Sequence, residues 1–220
     1  GTVGQLAASR FESLSVLLVE AAQVPSRRTQ GLPDEAFARG KVPMTKQEVR
    51  AAVLAKLGVQ PGELLWDVGA GTGSVSVELA LAAPRGRVYA VECDPEACAL
   101  IRQNKEKFAV RNLTLVEGTA PAALENLPAP DAVFIGGTKG NLAAVVEAAL
   151  ARNPAARICI SAIALETLSA AVAALTAHGL QAEVCQISVS RAKAAGKLHL
   201  LMANNPIFLI TRADEAEKSV

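Results

Sequence analysis

The sequence predicts an α/β fold of the Rossmann-like type, with a mostly parallel seven-stranded sheet whose last strand is antiparallel. From residue 64 on, short apolar runs alternate with helical patterns, as in parallel sheets covered by helices. Two β-prone stretches near the C-terminus, around residues 181–189 and 198–211, follow each other with no helix between them. Because strands connected without a crossover helix pair antiparallel, the sheet is expected to end in that way.

Local patterns predict the individual elements of this sheet. Five apolar runs indicate its parallel strands: Leu64–Val68, Arg87–Glu92, Leu113–Glu117, and residues 131–135 and 157–161. Asp94 and Pro95 form an N-cap and first-turn pair that begins the helix after the second strand. Apolar residues at helical spacing predict a helix over residues 142–150 and another that begins near Leu165 and stops at Gly179.

A further helix is predicted before the sheet. Thr45-Lys46-Gln47-Glu48 fits a capping box in which Thr45 is the N-cap. Four apolar positions mark a helix that ends before Gly58: Val49, Val53, Leu54 and Leu57.

The composition narrows the function classes. The 22 basic residues are balanced by 21 acidic ones and only 3% of the residues are aromatic, which argues against a nucleic-acid partner. The four cysteines show no metal-ligand spacing, so no metal site is expected. With no apolar run long enough to cross a bilayer and no signal-peptide pattern, we expect a cytoplasmic protein without a membrane partner.

Residues 1–30 are expected to lie outside the main domain, which spans residues 31–220. Residues 15–19 have the pattern of a buried strand, and residues 23–30 are polar and interrupted by Pro25, as in a linker. The alternative is an N-terminal extension that packs on the core.

A glycine-rich loop follows the first predicted strand and precedes a helix. Gly69, Gly71 and Gly73 permit a sharp turn and a close backbone approach to a ligand. The dinucleotide fingerprint would need a glycine at position 74, where the chain has Ser74. Together with Glu92 at the end of the next strand, this loop favours S-adenosylmethionine and the class I methyltransferase fold.

The predicted cofactor-binding residues lie at the ends of successive strands, and Glu92 is expected to accept both ribose hydroxyls. They are Thr45, Asp67, Gly69, Ala70, Gly71, Thr72, Gly73, Glu92, Gly118, Thr119 and Ala120. A surface acid is the alternative for Glu92, and a support for the loop N–H groups is the alternative for Asp67. Gly136 and Gly137 follow the fourth strand and leave room for a substrate.

Three segments together resemble one family. Pro43-Met44-Thr45-Lys46, the loop at residues 67–73, and Phe134-Ile135-Gly136-Gly137 resemble the decarboxylating precorrin methyltransferases of vitamin B12 synthesis, the C-terminal half of precorrin-6Y C5,15-methyltransferases. The resemblance implies methylation of carbon 15 and loss of carbon dioxide from the ring C acetate of a precorrin. It also implies an N-terminal methyltransferase half, of which residues 1–30 would be the end, and a homotetramer. That family often has an acid where Thr119 stands, so backbone groups are expected to contact the adenine.

The implied chemistry needs alignment more than acid–base groups, so no catalytic residue is assigned. The precorrin carries acetate and propionate chains, which predicts a basic substrate site. The candidates are Lys139, Arg191, Lys193 and Lys197, the last three expected in a turn between the final two strands. A solvated hairpin tip is the alternative for that turn.

Three other functions fit the cofactor loop less well. A methyltransferase for protein or tRNA would call for a basic patch or a target-binding domain. A nicotinamide oxidoreductase would need the missing glycine and a parallel last strand. A non-catalytic module would bind the cofactor without turnover.

Overall fold

The computed structural model describes residues 3–16 and 30–213 of the chain. Its helices are α1 Val3–Ala7, α2 Gln47–Leu57, α3 Ser74–Ala82, α4 Pro95–Lys107, α5 Leu142–Arg152 and α6 Leu165–Ala177. Its strands are β1 Leu64–Val68, β2 Arg87–Glu92, β3 Leu113–Glu117, β4 Ala132–Ile135, β5 Arg157–Ala162, β6 Ala182–Ile187, β7 Ser190–Ala195, β8 Leu198–Ala203 and β9 Ile207–Arg212. Short 3-10 turns occur at Asp34–Ala36 and Ala122–Leu124.

Seven of these strands form one sheet in the order β3-β2-β1-β4-β5-β9-β6. Strands β1 to β5 are parallel, and β9 pairs antiparallel with both β5 and β6. The predicted fold class, a mostly parallel sheet with an antiparallel last strand, is therefore confirmed. Since β1 lies between β2 and β4, the strand order reverses there, and ligands bind at the carboxyl edge beside such a reversal.

Helices cover both faces of the sheet because side chains alternate along each strand. Leu65, Ala90 and Phe134 face a core formed with α2, α3 and α4. Trp66 and Ile135 face a second core formed with α5 and α6. This three-layer arrangement holds the strand ends, and the loops that follow them, in fixed positions.

The region from 181 to 212 differs from the prediction, because it contains four strands: β6 lies in the first β-prone stretch, β8 and β9 in the second, and β7 between the two. β7 and β8 pair only with each other among the described strands and form a hairpin outside the main sheet. The prediction that Arg191 and Lys193 lie in a turn is wrong, since both belong to β7, and Lys197 alone lies in the turn before β8. The turn uses Gly196 at φ +63°, a conformation that glycine adopts easily.

The start of α2 also differs from the prediction. Lys46, not Thr45, is the N-cap residue, and its side chain makes no capping hydrogen bond. The Gln47 N–H instead donates to Asp34 Oδ1 at 2.9 Å, so a carboxylate from 13 residues earlier replaces the local cap. The predicted apolar positions Val49, Val53, Leu54 and Leu57 are all buried, and the helix ends before Gly58.

The N-terminal prediction is contradicted in part. Ser15 and Val16 belong to no strand and are exposed, whereas residues 17–19 and 23–29 of the predicted strand and linker lie outside the described residues. Gly31 and Leu32 pack against the domain: the Gly31 N–H donates to Glu78 Oε2 at 2.7 Å, and Leu32 is buried. In the ranges 3–16 and 30–213, no helix has the length and apolar character that a bilayer crossing requires.

Candidate functional site

A cavity of about 880 Å³ opens at the carboxyl ends of the parallel strands. One half of its wall follows β1, β2 and β3, where the predicted cofactor residues lie. The other half follows β4, β5 and β6 and precedes β9, so both halves share one continuous space. This volume lies at the upper end of the range of ligand sites, roughly 300–1,000 Å³.

The glycine loop forms the floor of the cavity. Gly69, Gly71 and Gly73 have φ values of +72°, +55° and +73°, which explains the choice of glycine at each position. A Cβ on Gly69 would stand 2.2 Å from the Gly137 carbonyl oxygen, so the loops after β1 and β4 touch through their backbones. Ala70 and Thr72 line the cavity, whereas Gly73 is the N-cap of α3 and lies behind its wall.

Glu92 is buried, with 9% of its surface exposed, so it is not a freely solvated acid. Its Oε2 accepts the Gly71 N–H at 2.9 Å, and its Oε1 accepts the N–H groups of Cys93 and Asp94 at 2.8 and 2.9 Å. These hydrogen bonds to a charged acceptor tie the end of β2 to the glycine loop. The carboxylate is thereby fixed in orientation at the cavity wall.

Asp67 lies beneath the loop and does not line the cavity. Its Oδ2 accepts the Ser76 hydroxyl, and the described hydrogen bonds to Asp67 include none from a loop N–H. Burial raises the pKa of Asp67 to about 7; the Ser76 hydrogen bond opposes this shift and the Glu92 charge adds to it. Asp67 is thus a buried carboxyl that is bonded to α3 and is partly protonated at neutral pH.

The third strand contributes Gly118, Thr119 and Ala120, and all three line the cavity. The Gly118 N–H donates to the Glu92 carbonyl at 2.9 Å, which places this segment beside the end of β2. Thr119 is exposed and Ala120 is buried, so a flat ligand group would meet backbone and small side chains here.

Gly136, Gly137 and Lys139 line the cavity after β4. Lys139 has a φ of +49°, unusual for a residue with a side chain, and is exposed. The neighbouring Cys93 raises the pKa of Lys139 above the ordinary lysine value, at which the amine is already positively charged at neutral pH.

A segment that precedes α2 covers the glycine loop. The Pro43 carbonyl oxygen lies 3.2 Å from the place that a Cβ on Gly71 would occupy. Val42, Met44, Thr45 and Lys46 line the cavity with Pro43, so Thr45 reaches the site although it is not the helix cap.

The sequence prediction missed Lys46 and the polar residues on the far wall. Lys46 was assigned to a capping motif and to the Pro-Met-Thr-Lys segment but not to the site, although that segment also contains Thr45, a predicted site residue. Ser161, Thr167, Asn204 and Asn205 also line the cavity. Their positions after β5 and before β9 depend on the sheet order, so no local motif points to them.

The three hairpin cations lie away from the cavity lining. Arg191 pairs with both Glu48 oxygens, at 2.7 and 2.9 Å, and with Asp34 Oδ2 at 3.2 Å. Its charge is therefore already compensated, in contrast to its predicted role as a free cation for substrate. Lys193 and Lys197 are exposed on the hairpin. Within the described part of the chain, no group of three His, Cys, Asp or Glu residues has a metal-binding arrangement.

The site has the features that an adenosine cofactor requires. Thr72 Oγ1 is buried at the cavity wall and, within the described ranges, has no hydrogen-bond partner. A bound ligand would satisfy that hydroxyl, and the glycine floor leaves its backbone open to close approach. Glu92 presents a fixed carboxylate on the adjoining wall.

The comparisons with known proteins agree with this geometry. The family model of the precorrin methyltransferase domain matches residues 35–212. The chain belongs to the precorrin methyltransferase family. A protein of Pyrobaculum calidifontis named as a probable cobalt-precorrin-6B C(15)-methyltransferase (decarboxylating) is 47% identical over 186 residues, which cover 83% of this chain and 95% of the relative.

Solved structures of precorrin-6Y C5,15-methyltransferases show the same fold. The protein of Geobacter metallireducens is 41% identical with a TM-score of 0.80, over 84% of this chain and 98% of that one. The C-terminal domain from Rhodobacter capsulatus is 35% identical with a TM-score of 0.74, over the same shares. The expected resemblance and the methyltransferase fold class are thus confirmed.

Proposed function

We propose that this chain transfers a methyl group from S-adenosylmethionine to carbon 15 of a precorrin and removes carbon dioxide from the ring C acetate. The observation that carries the proposal is the single cavity, in which the wall built by β1, β2 and β3 continues into the wall built by β4, β5 and β9. Such a cavity accommodates a cofactor and the reacting part of a large ring together. The names of the relatives support this reaction.

The cofactor is proposed to bind along the glycine loop, with its ribose on Glu92 and its adenine between Gly118, Thr119 and Ala120. Thr45 and the Thr72 hydroxyl border the remaining part of this half, and both groups suit the polar amino-acid end of the cofactor. Asp67 is assigned an indirect role, because it does not line the cavity and its carboxyl accepts the Ser76 hydroxyl at the start of α3.

The precorrin is proposed to lie over β4, β5 and β9. Gly136 and Gly137 leave space beside the methyl donor, and Lys46 and Lys139 are the cations among the described cavity-lining residues. These two lysines outnumber the one carboxylate among the described lining residues, that of Glu92. They therefore provide the local positive charge that a polycarboxylate needs. Lys46 takes the substrate-binding role that was predicted for Arg191. Lys193 and Lys197 are proposed to contact those acetate and propionate side chains of the precorrin that extend beyond the cavity.

The reaction draws mainly on alignment. S-adenosylmethionine supplies the methyl group when bound, and carbon 15 of the reduced ring is an enamine-like nucleophile. The residues of the cavity orient the two partners, an effect that can lower a barrier by up to roughly 7–11 kcal/mol. Loss of carbon dioxide leaves its electron pair in the conjugated ring, and a proton takes the place of the carboxyl group. The apolar walls, Ile135, Ile160 and Ile207 among them, exclude water.

The deciding experiment combines turnover with cofactor binding. Incubation with cobalt-precorrin-6B and S-adenosylmethionine should give a product that has gained a methyl group and lost carbon dioxide, detected by mass spectrometry.

In calorimetry with S-adenosylhomocysteine, Glu92→Ala should weaken binding by about 1.5–3 kcal/mol, the value of hydrogen bonds to a charged group. Gly71→Val should abolish binding, because its side chain would meet Pro43. Gly62→Ala, in open space, is the control. Methylation of tRNA or protein in place of the precorrin would refute the proposed substrate.

We further infer that residues 1–30 belong to a connection with an N-terminal methyltransferase half, and that the chain acts in the cytoplasm as a homotetramer. The anchoring of Gly31 and Leu32 on the core supports the first inference. The exposed apolar side chains of β8 (Leu198, Leu200, Leu201 and Met202) support self-association. Deletion of residues 1–24 should leave the melting temperature and turnover nearly unchanged, and a large loss of folded protein would refute this boundary.

A further inference from the structure

The hairpin of β7 and β8 meets the cavity at its base. Val189, just before β7, and Asn204 and Asn205, just after β8, line the cavity on the proposed substrate side. The Asn204 N–H donates to the Val189 carbonyl at 2.9 Å, so the two connections are joined as one wall.

The first turn of α2 forms another part of the wall. Thr45, Lys46 and Val49 line the cavity there. Glu48 in the same turn is not among the lining residues and receives three hydrogen bonds from the Arg191 guanidinium: from Nε to Oε1 at 3.1 Å, and from Nη2 to Oε1 at 2.9 Å and to Oε2 at 2.7 Å. A paired contact of this type fixes direction as well as distance.

Arg191 also joins a buried chain of charges. Its second partner, Asp34, is almost fully buried and accepts the Arg50 guanidinium at 2.8 Å on its other oxygen. Arg50 in turn donates to Glu78 of α3 at 2.8 Å, and its side chain has no exposed surface. Asp34 Oδ1 also accepts the Gln47 N–H at the start of α2. The side chains of Arg191 and Glu48 are 40% and 41% exposed, whereas Asp34 and Arg50 are buried, so Arg191 connects a surface ion pair to a buried one.

We propose that Arg191 is a positioning residue. Its ion pairs with Glu48 and Asp34 hold the base of the hairpin against the first turn of α2, and this clasp fixes the width of the substrate half of the cavity. The role in catalysis rests on the proposed function, since it presumes a substrate that fills that half. The clasp itself is a property of the chain and is measurable without substrate.

Arg191→Met and Glu48→Ala test the clasp, each alone and both together. Lys56→Met is the matched control. Lys56 lies in the last turn of α2, away from the cavity lining, and pairs with Glu183 of β6. In hydrogen exchange, the amides of residues 44–49 should exchange faster in both test variants and at the normal rate in the control. Equal exchange in the wild type and in all four variants would overturn the clasp, whatever the enzyme's substrate.

In turnover of cobalt-precorrin-6B, each test variant should raise KM by about three- to tenfold with a smaller change in kcat, the scale of a partly exposed charge network. The double variant should have a KM no higher than that of Arg191→Met, because both substitutions break the same contact between Arg191 and Glu48. Arg191→Lys should recover part of the loss. If Glu48→Ala leaves KM unchanged while Arg191→Met raises it, Arg191 binds the substrate directly and the positioning role is wrong. If the wild-type chain does not convert this substrate, the proposed function fails, and hydrogen exchange alone decides on the clasp.

Discussion

The glycine loop and the β7–β8 hairpin both border the cavity, but they are held in place by different means. The loop is fixed by short backbone contacts, among them the Gly71 N–H to Glu92 and the approach of Gly69 to Gly137. The hairpin extends from the sheet with every side chain of β8 exposed, and Arg191 ties its base to α2. The comparison indicates that backbone contacts hold the half proposed for the cofactor, whereas the half proposed for the substrate depends on a few side-chain ion pairs.

The largest loss of folding stability is expected at Gly69, where the loops after β1 and β4 touch. Gly69→Ala should destabilise the fold by about 4 kcal/mol or more, since positive φ and forced overpacking each cost roughly 1–3 kcal/mol and here act against backbone atoms. Gly58→Ala has the same type of φ (+55°) in open space and should show the backbone cost alone. Urea unfolding measures both. Equal losses in the two variants would show that the approach to Gly137 matters little.

The next effect on folding stability is expected at Asp67, whose buried carboxyl lies beneath the loop. The pKa of Asp67 is raised to about 7 in the folded chain, above the ordinary value of 3.8. A folded state that binds the proton more tightly is favoured at low pH, so this contribution is full below about pH 4 and is lost as the pH rises through 7. The difference between 3.8 and about 7 corresponds to roughly 4 kcal/mol, at 1.36 kcal/mol per pKa unit.

Asp67→Asn should therefore change the pH dependence of stability. The free energy of unfolding of the wild type, relative to that of the Asn variant, should fall between pH 4 and pH 7 and level off above. Urea unfolding at several pH values measures this difference, in which the titration of other groups cancels. A difference that is constant with pH would contradict the raised pKa.

The smallest effect on folding is expected at the hairpin. Leu201 is 74% exposed, so Leu201→Gln should change the free energy of unfolding of the isolated subunit by less than about 0.5 kcal/mol. If the hairpin joins subunits, the same change should shift the sedimentation equilibrium toward smaller species. Ala192 lies opposite Leu201 in the hairpin, and Ala192→Gln applies the same test to β7. Retention of the full assembly in both variants would exclude the hairpin as the interface.

The same contrast explains which features could be predicted from the sequence. Strands β1 to β5 and the glycine loop depend on nearby residues, such as the Asp94 cap that accepts the Ala97 N–H, and they were placed correctly. The cap of α2 was not, because Asp34 supplies it through a contact that the tertiary fold creates. Residues 198–211 were predicted as one strand of the sheet, and no local signal indicates that Leu198 and Leu200 belong to a separate hairpin.

The candidate site follows the same rule. Residues tied to the glycine motif were predicted as a group, and nearly all line the cavity; Asp67 and Gly73 lie behind it. Arg191 was taken for a substrate ligand because an isolated arginine in a sequence gives no sign of its partners. Glu48 and Asp34 lie 143 and 157 positions away, and only the packed chain brings them to it.

The contact between Gly69 and Gly137 has a consequence for inheritance and for protein engineering. Two loops separated by 68 positions along the chain share one surface of backbone atoms, so neither can lengthen or gain a side chain by itself. A chimaera with a related methyltransferase should keep both loops from one parent. Exchange of one loop alone would join surfaces that were shaped in different lineages.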